Sequence, residues 1–447
     1  MKRDDIAAAL ERGGLAPHDA AAKVQLFEQC EALRSRLGWT APAHAWWIPG
    51  RLEVFGKHTD YAGGRTLVAA LPRGFALLAA TPRASSPGVL VADALTGEVA
   101  SSPHTDARKP HPAWAHYVDA VVRRLARNFP AAALSAEIVL ASDLPPASGM
   151  SSSSALMVGL AAALVRISGI ESHDEWRRNI TGPLDAAAYY ACIENGATFR
   201  DLAGDAGVGT HGGSEDHAAI LCGAPSQLTE LSFVPLRLIG RTAVPSDWQF
   251  VVASSGVRAE KSGAVRDAYN ALSRDASALL ELWNAHEPTA ASLGEALASD
   301  SLADARLVEL VERSPLDGPR REALVRRLTH FVREDNRVPD VVAAFNSADA
   351  AAVAALALES QREAENLLRN QVPETIELAH AARRLGAIAA SAFGAGFGGS
   401  VWALVERDVA PTFPNRWLAA CRPACLSGAT AFEAWPGPPL KELTAPS

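Results

Sequence analysis

The pattern of apolar and polar residues predicts alternating helices and short strands in the first half of the chain. Apolar residues recur at helical spacing through residues 1–40, which predicts helices there. From residue 45 to about residue 80, short apolar runs alternate with Gly and Asp clusters, which indicates strands joined by functional loops. The pattern then predicts a helix over 110–128, a strand over 134–141, and a turn over 144–150 that leads into a long helix rich in Ser and Ala.

The second half changes from mixed elements to long helices. Its predicted elements are a helix over 184–194, a Gly-rich loop over 204–213, short strands between 222 and 248, a buried strand over 250–254, helices rich in Ala, Leu and Arg from 258 to about 385, and a strand–turn–strand unit over 387–405. This change in character predicts two domains, residues 1–225 and residues 226–447.

Composition narrows the class of protein. Of the 447 residues, 48% are hydrophobic and 21% are charged, a balance that excludes disordered and fibrous proteins. The formal net charge of −8 disfavours nucleic acid or an acidic membrane surface as a partner. No secretory signal is recognised, and the longest apolar runs are too short to cross a bilayer. Five cysteines, an odd and sparse count, fit free thiols, so a cytoplasmic protein is expected.

A Ser- and Gly-rich segment, residues 144–155, lies between a predicted strand and a predicted helix. Small residues allow backbone N–H groups to approach an anion, and the positive end of the following helix dipole favours negative charge. The segment is therefore a candidate phosphate-binding loop, although a Ser-rich helix cap without a ligand would have the same composition. It lacks the Gly-Lys-Ser/Thr sequence of a Walker A loop.

Two further glycine-rich segments flank polar residues. Residues 49–64 bring basic, imidazole and carboxylate groups together between glycines, which suits a small polar ligand, although a solvated turn is the alternative. Residues 393–400 precede an apolar strand and, taken alone, indicate a tight hairpin more often than a site.

In this order and spacing, the three segments resemble the signature motifs of the GHMP small-molecule kinases, and Gly50–Tyr61 resembles the galactokinase signature. Residues 252–257 are also similar to a galactokinase strand. The resemblance implies an α+β fold with two domains. The N-terminal domain would be a mixed sheet with helices, similar to the second domain of a small-subunit ribosomal protein. The C-terminal domain would be an α/β sandwich, with the active site at the interface.

The resemblance also implies roles for individual residues. Arg51 and Asp216 would be the catalytic pair, because a carboxylate beside a guanidinium can accept a proton from a sugar hydroxyl while the cation offsets phosphoryl charge. A structural salt bridge is the alternative. Substrate contacts are implied for Lys57, His58, Asp60, Gly213 and Tyr269. ATP phosphate contacts are implied for Ser148, Gly149, Ser151, Ser152, Ser153, Ser154, Gly396 and Gly398. Mg²⁺ ligands are implied at Ser152 and Glu194.

The sequence departs from the galactokinase pattern at several positions. Lys57 stands where galactokinases normally have a Glu that binds near the sugar C6. An ammonium there would favour a C6 carboxylate, so a hexuronic acid becomes a candidate substrate. Neutral variation with Lys57 facing solvent is the alternative. Milder departures are Ala147 for Gly, Met157 and His217 for Glu and Gln, and Ser400 for Cys.

The predicted function is an ATP- and Mg²⁺-dependent sugar 1-kinase that phosphorylates the anomeric hydroxyl of galactose or a related sugar. The alternative is a galactokinase-like regulator that senses sugar and ATP without turnover. A mevalonate-like or amino-acid substrate is disfavoured by the sequence His58-Thr59-Asp60-Tyr61. The expected partners are the sugar and ATP alone, with no nucleic acid or membrane, and the chain is expected to be a monomer or a weak homo-oligomer.

Overall fold

A computed structural model describes residues 3–82, 88–103, 111–257, 263–422 and 427–444. Its twelve strands are β1 (His44–Phe55), β2 (Arg65–Ala80), β3 (Gly88–Asp93), β4 (Val99–Ser102), β5 (Ser135–Ser142), β6 (Gln227–Ser232), β7 (Arg237–Ala243), β8 (Trp248–Ser254), β9 (Ala389–Phe393), β10 (Ser400–Glu406), β11 (Thr430–Ala434) and β12 (Lys441–Thr444).

The helices that the structure describes fall before, between and after these strands. They are α1 (Arg3–Gly13), α2 (Pro17–Arg36), α3 (Ala115–Asn128), α4 (Ser152–Ile167), α5 (Asp174–Asn179), α6 (Pro183–Asn195), α7 (Glu215–Cys222), α8 (Gly263–His286), α9 (Leu293–Ala298), α10 (Ala303–Arg313), α11 (Gly318–Asn346), α12 (Ala350–Glu363), α13 (Pro373–Arg384) and α14 (Phe413–Ala420). A single π-helical turn, Ala364–Leu368, follows α12.

Eight strands form the first sheet, in the order β12-β1-β2-β5-β3-β4, with β6 paired to β2 and β7 to β6. All neighbours are antiparallel except β3 and β5. Helices α1 and α2 cover one face, where Leu10 and Phe27 pack on Trp47 and Leu78. Helix α4 packs on β1 and β2 and is buried along nearly its whole length. The sheet thus has helices on both faces, and its strands are correspondingly apolar.

Four antiparallel strands form the second sheet, in the order β11-β8-β10-β9. Helices α13 and α14 cover one face, where Leu378 and Trp417 pack against Val401. Towards the first sheet, Trp402 lies 6.1 Å from Phe55, measured between ring centroids. The core is therefore continuous between the two sheets.

A separate helical cluster formed by α8 to α11 packs against residues 61–62, at the end of the second glycine-rich segment. Its centre is apolar, with Trp283, Leu307 and Phe331 buried. This packing brings the long helix α11 alongside residues 56–61, the part of the galactokinase-like segment that follows β1. These residues are called the sugar motif below.

The predicted α+β, two-domain GHMP kinase fold is confirmed. The boundary near residue 225 stays a prediction, and sheet membership changes later, between Ala243 and Trp248. The hairpin of β3 and β4 and the strands β11 and β12 were absent from the sequence prediction, because their apolar runs are short and interrupted. Among the described residues, no helix combines the length and apolar character needed to cross a membrane.

Candidate active site

A cavity of about 730 Å³ lies where the phosphate-loop candidate, the sugar motif and helix α7 meet. Its wall includes Arg51 from β1, Asp60 from the sugar motif, Ser151 from the phosphate-loop candidate and Asp216 from α7. Of the third glycine-rich segment, Gly394 and Ala395 reach the wall. The structure therefore brings all three sequence motifs to one site.

The phosphate-loop candidate joins β5 to the first turn of α4. Two of its non-glycine residues, Ala147 and Ser151, have left-handed backbone conformations with φ of 49° and 61°. Such conformations cost about 1–2 kcal/mol each and recur at functional sites. The hydroxyl of Ser151 is buried and has no partner among the described residues. A buried donor at a helix N-terminus is well suited to a phosphate oxygen.

Ser148 fixes the shape of this loop from inside the protein. Its hydroxyl donates to the carbonyl oxygen of Pro145 at 2.7 Å, and its own carbonyl accepts from the hydroxyl of Ser400 at 2.6 Å. The side chain is only 2% exposed. The Ser148 hydroxyl is therefore bonded within the loop, and the bond from Ser400 joins the loop to β10; the expected phosphate contact of Ser148 stays a prediction.

The predicted catalytic pair forms a direct contact. The Nε atom of Arg51 lies 2.8 Å from Oδ1 of Asp216, and Nη1 donates to the carbonyl oxygen of Gly149 at 2.8 Å. Burial alone lowers the pKa of Arg51, but the carboxylates of Asp216 and Glu215 raise it above its usual value. The guanidinium is therefore a permanent cation between the phosphate loop and Asp216.

Two further carboxyl groups beside Arg51 were missed from the sequence. Oε1 of Glu215 lies 2.9 Å from Arg51 Nε, and Oε2 of Glu53 lies 3.7 Å from Nη2. Both side chains are at least nine-tenths buried and line the cavity. The signals were present, since Glu53 shares the strand face of Arg51 two positions away and Glu215 precedes Asp216.

The sugar motif is held by hydrogen bonds on both sides. Oδ2 of Asp60 accepts from the backbone N–H of Glu215 at 3.2 Å, and burial raises the pKa of Asp60. The ring of His58 lies between Tyr61, whose hydroxyl is 2.9 Å from Nδ1, and Tyr269, whose ring centroid is 5.4 Å away. All four side chains, those of Asp60, His58, Tyr61 and Tyr269, line the cavity.

Gly213 also lies in the cavity wall, and its role there is steric. A Cβ atom at this position would lie 2.3 Å from Oδ2 of Asp60. Any larger residue would therefore displace the carboxylate or the backbone that carries Asp216.

Lys57 is the main correction to the expected site. Its ammonium donates to Oγ of Ser360 at 2.7 Å and lies 3.8 Å from Oε1 of Glu334, away from the cavity. The side chain is 1% exposed, so it does not face solvent. Burial alone raises the pKa of Glu334, but Lys57 and Arg337 lower it to about 2. Helices α11 and α12 thus supply the partners of Lys57, and its ammonium lies outside the cavity wall where the sugar contact was expected.

The third glycine-rich segment is anchored by Asn370, which follows the π-helical turn. The carbonyl oxygen of Asn370 accepts from the N–H of Phe397 at 2.5 Å, and Nδ2 lies 3.2 Å from Nε2 of His58. A Cβ at Gly396 would approach the Asn370 carbonyl to 2.4 Å, so only glycine fits. Gly396 and Gly398 thus face Asn370 and Val257 rather than the cavity, unlike the expected phosphate contacts.

Side-chain oxygen atoms of the kind that coordinate a hard cation lie beside the phosphate loop. Oε2 of Glu194 accepts from the Ser154 hydroxyl at 2.8 Å, and the same hydroxyl lies 3.1 Å from Oδ2 of Asp216. Ser152 and Ser153 complete this part of the wall. The described residues contain no cluster of three or more His, Cys, Asp and Glu side chains able to hold a metal by themselves. One carboxylate plus hydroxyls fits Mg²⁺, which takes its other ligands from phosphates and water.

The far end of the cavity is apolar and aromatic. Its wall contains Phe75, Leu95, Trp114 and Tyr117. Flat aromatic surfaces of this kind suit a nucleobase. The sequence analysis did not assign these residues to the site. The available signal was the pair Trp114 and Tyr117, which lie three positions apart, just before and within α3.

Comparisons with known proteins agree with this geometry. Residues 116–193 match the GHMP kinases N terminal domain, residues 34–81 the galactokinase galactose-binding signature, and residues 341–422 the GHMP kinases C terminal family.

The chain is 29% identical over 411 residues to a galactokinase of Streptomyces coelicolor, covering 90% of this chain and 95% of that protein. It is 27% identical over 390 residues to a galactokinase of Roseiflexus, covering 86% and 89%. The fold matches the crystal structure of Lactococcus lactis galactokinase complexed with galactose, with a TM-score of 0.72, 22% identity and coverage of 92% and 98%. The chain thus carries the N- and C-terminal domains of GHMP kinases together with the galactokinase galactose-binding signature, and it is a galactokinase-like sugar kinase, a phosphotransferase with an alcohol acceptor.

Proposed function

We propose that this protein transfers the γ-phosphoryl group of ATP, with Mg²⁺, to the anomeric hydroxyl of galactose or a closely related neutral sugar. The observation that carries the proposal is the contact of Arg51 with Asp216, 2.8 Å apart, between the phosphate loop and the sugar motif. The relatives' names support galactose as the first sugar to test.

In the proposed reaction, the anomeric oxygen attacks the γ-phosphorus while the bond from that phosphorus to the bridging oxygen of ADP breaks. Asp216 accepts the proton of the anomeric hydroxyl, and Arg51 offsets the charge of the transferring group. Asp60 accepts hydrogen bonds from ring hydroxyls. The buried hydroxyl of Ser151 and the N-terminus of α4 bind phosphate oxygens.

Ser152 and Glu194 would hold Mg²⁺, with Ser154 orienting the Glu194 carboxylate through its 2.8 Å hydrogen bond. The cation would neutralise phosphate charge during transfer. The aromatic end of the cavity, with Trp114 and Tyr117, would take the adenine ring.

The charge of the cavity favours a neutral sugar over a hexuronic acid. Carboxyl groups of Glu53, Asp60, Glu215 and Asp216 lie in the wall, and the one basic side chain considered for a C6 carboxylate, Lys57, is bonded elsewhere. A sugar carboxylate would meet like charges, whereas sugar hydroxyls can donate to carboxylates.

A panel assay tests the proposal. ADP release would be measured with galactose, glucose, galactosamine, galacturonate and glucuronate, with and without Mg²⁺. We expect turnover of galactose that depends on Mg²⁺ and is at least about tenfold more efficient than turnover of either uronate. Binding of sugar and ATP without ADP release would instead support the non-catalytic regulator.

A further inference from the structure

Glu53 and Glu215 form a buried pair of carboxyl groups next to the catalytic Arg51. The two side chains are 3% and 4% exposed and contact the same guanidinium, Glu215 through Oε1 at 2.9 Å from Nε and Glu53 through Oε2 at 3.7 Å from Nη2. Glu215 also contacts Arg51 Nε, and its backbone N–H donates to Asp60. The pair therefore lies between the proposed base, the catalytic cation and the sugar motif.

Oε1 of Glu53 is buried and has no hydrogen-bond partner among the described residues. An ionised carboxylate can only accept hydrogen bonds, so a buried oxygen without a donor disfavours the ionised form. Glu53 and Glu215 both contact Arg51, which also contacts Asp216. Three full negative charges around one guanidinium would leave an excess of buried charge, which is costly. A carboxyl pair with one proton lowers that excess by one charge, as in other sites where two carboxyls share a position.

The charges around the pair agree with this assignment. Burial raises the pKa of Glu215 well above its usual value, and Glu53 raises it further; burial also raises the pKa of Glu53. The charged groups that face the pair come from β1, the sugar motif, α7 and α11; they are Arg51, Lys57, Asp60, Asp216 and Glu334.

We propose that Glu53 and Glu215 share one proton at neutral pH and are positioning residues that hold Arg51 toward the transferring phosphoryl group. The proposal rests on the proposed kinase activity for its kinetic test only. Arg51 Nε donates to Glu215, and Nη1 donates to the Gly149 carbonyl. Together these bonds orient the guanidinium group toward the phosphate loop. The shared proton keeps a second negative charge away from the point where phosphoryl charge develops.

Loss of the shared proton at alkaline pH adds that second charge, so kcat should fall on the alkaline side of its pH profile. A glutamine at position 53 donates an N–H to Glu215 and cannot ionise. Glu53→Gln should therefore remove this alkaline limb or move it to higher pH. Tyr61 does not interfere, because burial raises its pKa to about 12.

The kinetic test compares Glu53→Gln with Glu53→Ala. We expect Ala to lower the plateau kcat by about tenfold or more, because Glu215 loses its donor, and Gln to restore most of that loss. Glu230→Gln is the matched control, since Glu230 is a buried carboxyl on β6 outside the cavity. Melting temperatures of all variants separate misfolding from misplacement of Arg51. An unchanged alkaline limb in Glu53→Gln would overturn the proposal.

A second measurement does not depend on catalysis. Carboxyl carbon NMR signals of glutamate-labelled protein would be followed from about pH 5 to about pH 9, where ordinary Glu side chains are already ionised. One signal should titrate in this range in the wild type and vanish in Glu53→Gln. If no sugar is phosphorylated but this signal is found, the carboxyl pair stands and the kinase proposal fails. If galactose is phosphorylated but both carboxyls are ionised throughout, the shared proton is refuted.

Discussion

The guanidinium of Arg51 joins two parts of the site, because its Nε lies 2.8 Å from Oδ1 of Asp216 and its Nη1 lies 2.8 Å from the carbonyl oxygen of Gly149. The first contact fixes the proposed base, and the second fixes the phosphate loop. The relative position of Asp216 and the phosphate loop is therefore fixed in part by one side chain that is 6% exposed.

Asp216→Asn should lower kcat by about 10²-fold or more while ATP affinity changes little, since the amide keeps the shape but cannot accept the proton. Turnover is measured by coupled ADP release, and ATP binding by calorimetry. Asp119→Asn on α3, where Asp119 contacts His111 outside the cavity, is the control and should keep its activity. Near wild-type turnover in Asp216→Asn would rule out the assigned base.

Glu194→Gln and Ser152→Ala should each raise the Mg²⁺ concentration needed for half-maximal activity by about five- to tenfold, because each removes an oxygen ligand or weakens it. The measurement is a Mg²⁺ titration of initial rates at saturating sugar and ATP. Glu171→Gln, at an exposed glutamate, is the control. If neither site variant changes the titration, the cation binds elsewhere.

Lys57→Glu should destabilise the fold rather than change sugar preference, because it places a second carboxylate beside Glu334 in the interior. Breaking a buried ion pair costs about 3–5 kcal/mol, which denaturant unfolding would measure. The double variant Lys57→Glu with Glu334→Lys should recover part of the loss, and Lys441→Glu at an exposed lysine should cost little. A stable Lys57→Glu protein with altered sugar preference would return Lys57 to the sugar site.

The ion pair of Glu334 also predicts a pH dependence. Its pKa of about 2 in the folded protein lies below the value of about 4.3 for an unfolded Glu. The folded state therefore binds the proton less readily, so this stabilisation is present above about pH 4.3 and is lost as the pH falls towards 2. The free energy of unfolding of wild type minus that of Glu334→Gln should be constant from pH 6 to about pH 5 and then shrink. A difference that grows on acidification contradicts the pairing.

Asn370→Ala should lower kcat/KM for the sugar by about tenfold, because Nδ2 of Asn370 lies 3.2 Å from His58 and 3.4 Å from the Ala395 carbonyl. The bond from Phe397 to the backbone carbonyl remains, so the melting temperature should change little. Asn366→Ala, on the exposed side of the π-helical turn, is the control. Equal effects of the two variants would mean that Asn370 does not position the turn.

The sequence predicted those features that depend on neighbours along the chain. The strand, turn and helix around residues 135–167 follow from local periodicity, and the motifs single out Arg51 and Asp216, which the structure places in contact. The orientation of Lys57 did not, because its partners Glu334 and Ser360 lie on helices far along the chain. Only tertiary packing decides which way such a side chain points.

The glutamates beside Arg51 illustrate a second limit. Nothing in the sequence around Glu53 and Glu215 shows that they lie close together. They contact the same arginine because β1 and α7 pack against each other in the fold. The apolar part of the cavity wall was missed for a similar reason, because Phe75, Leu95 and Trp114 come from three separate elements and their loops. The pattern of apolar residues predicts which face of a helix or strand is buried. It does not predict which other element packs against that face.

The pairing of β12 with β1 has a consequence for synthesis of the protein. Residues 45–47, at the start of the strand that carries Arg51, find their outer backbone partners only in residues 441–444. During translation this edge leaves the ribosome long before residues 441–444, so the nascent chain presents an unpaired strand edge while the intervening residues are made. The sheet beneath Arg51 is therefore completed only after the intervening residues have been made, and until then its outer edge is open to pairing with other chains.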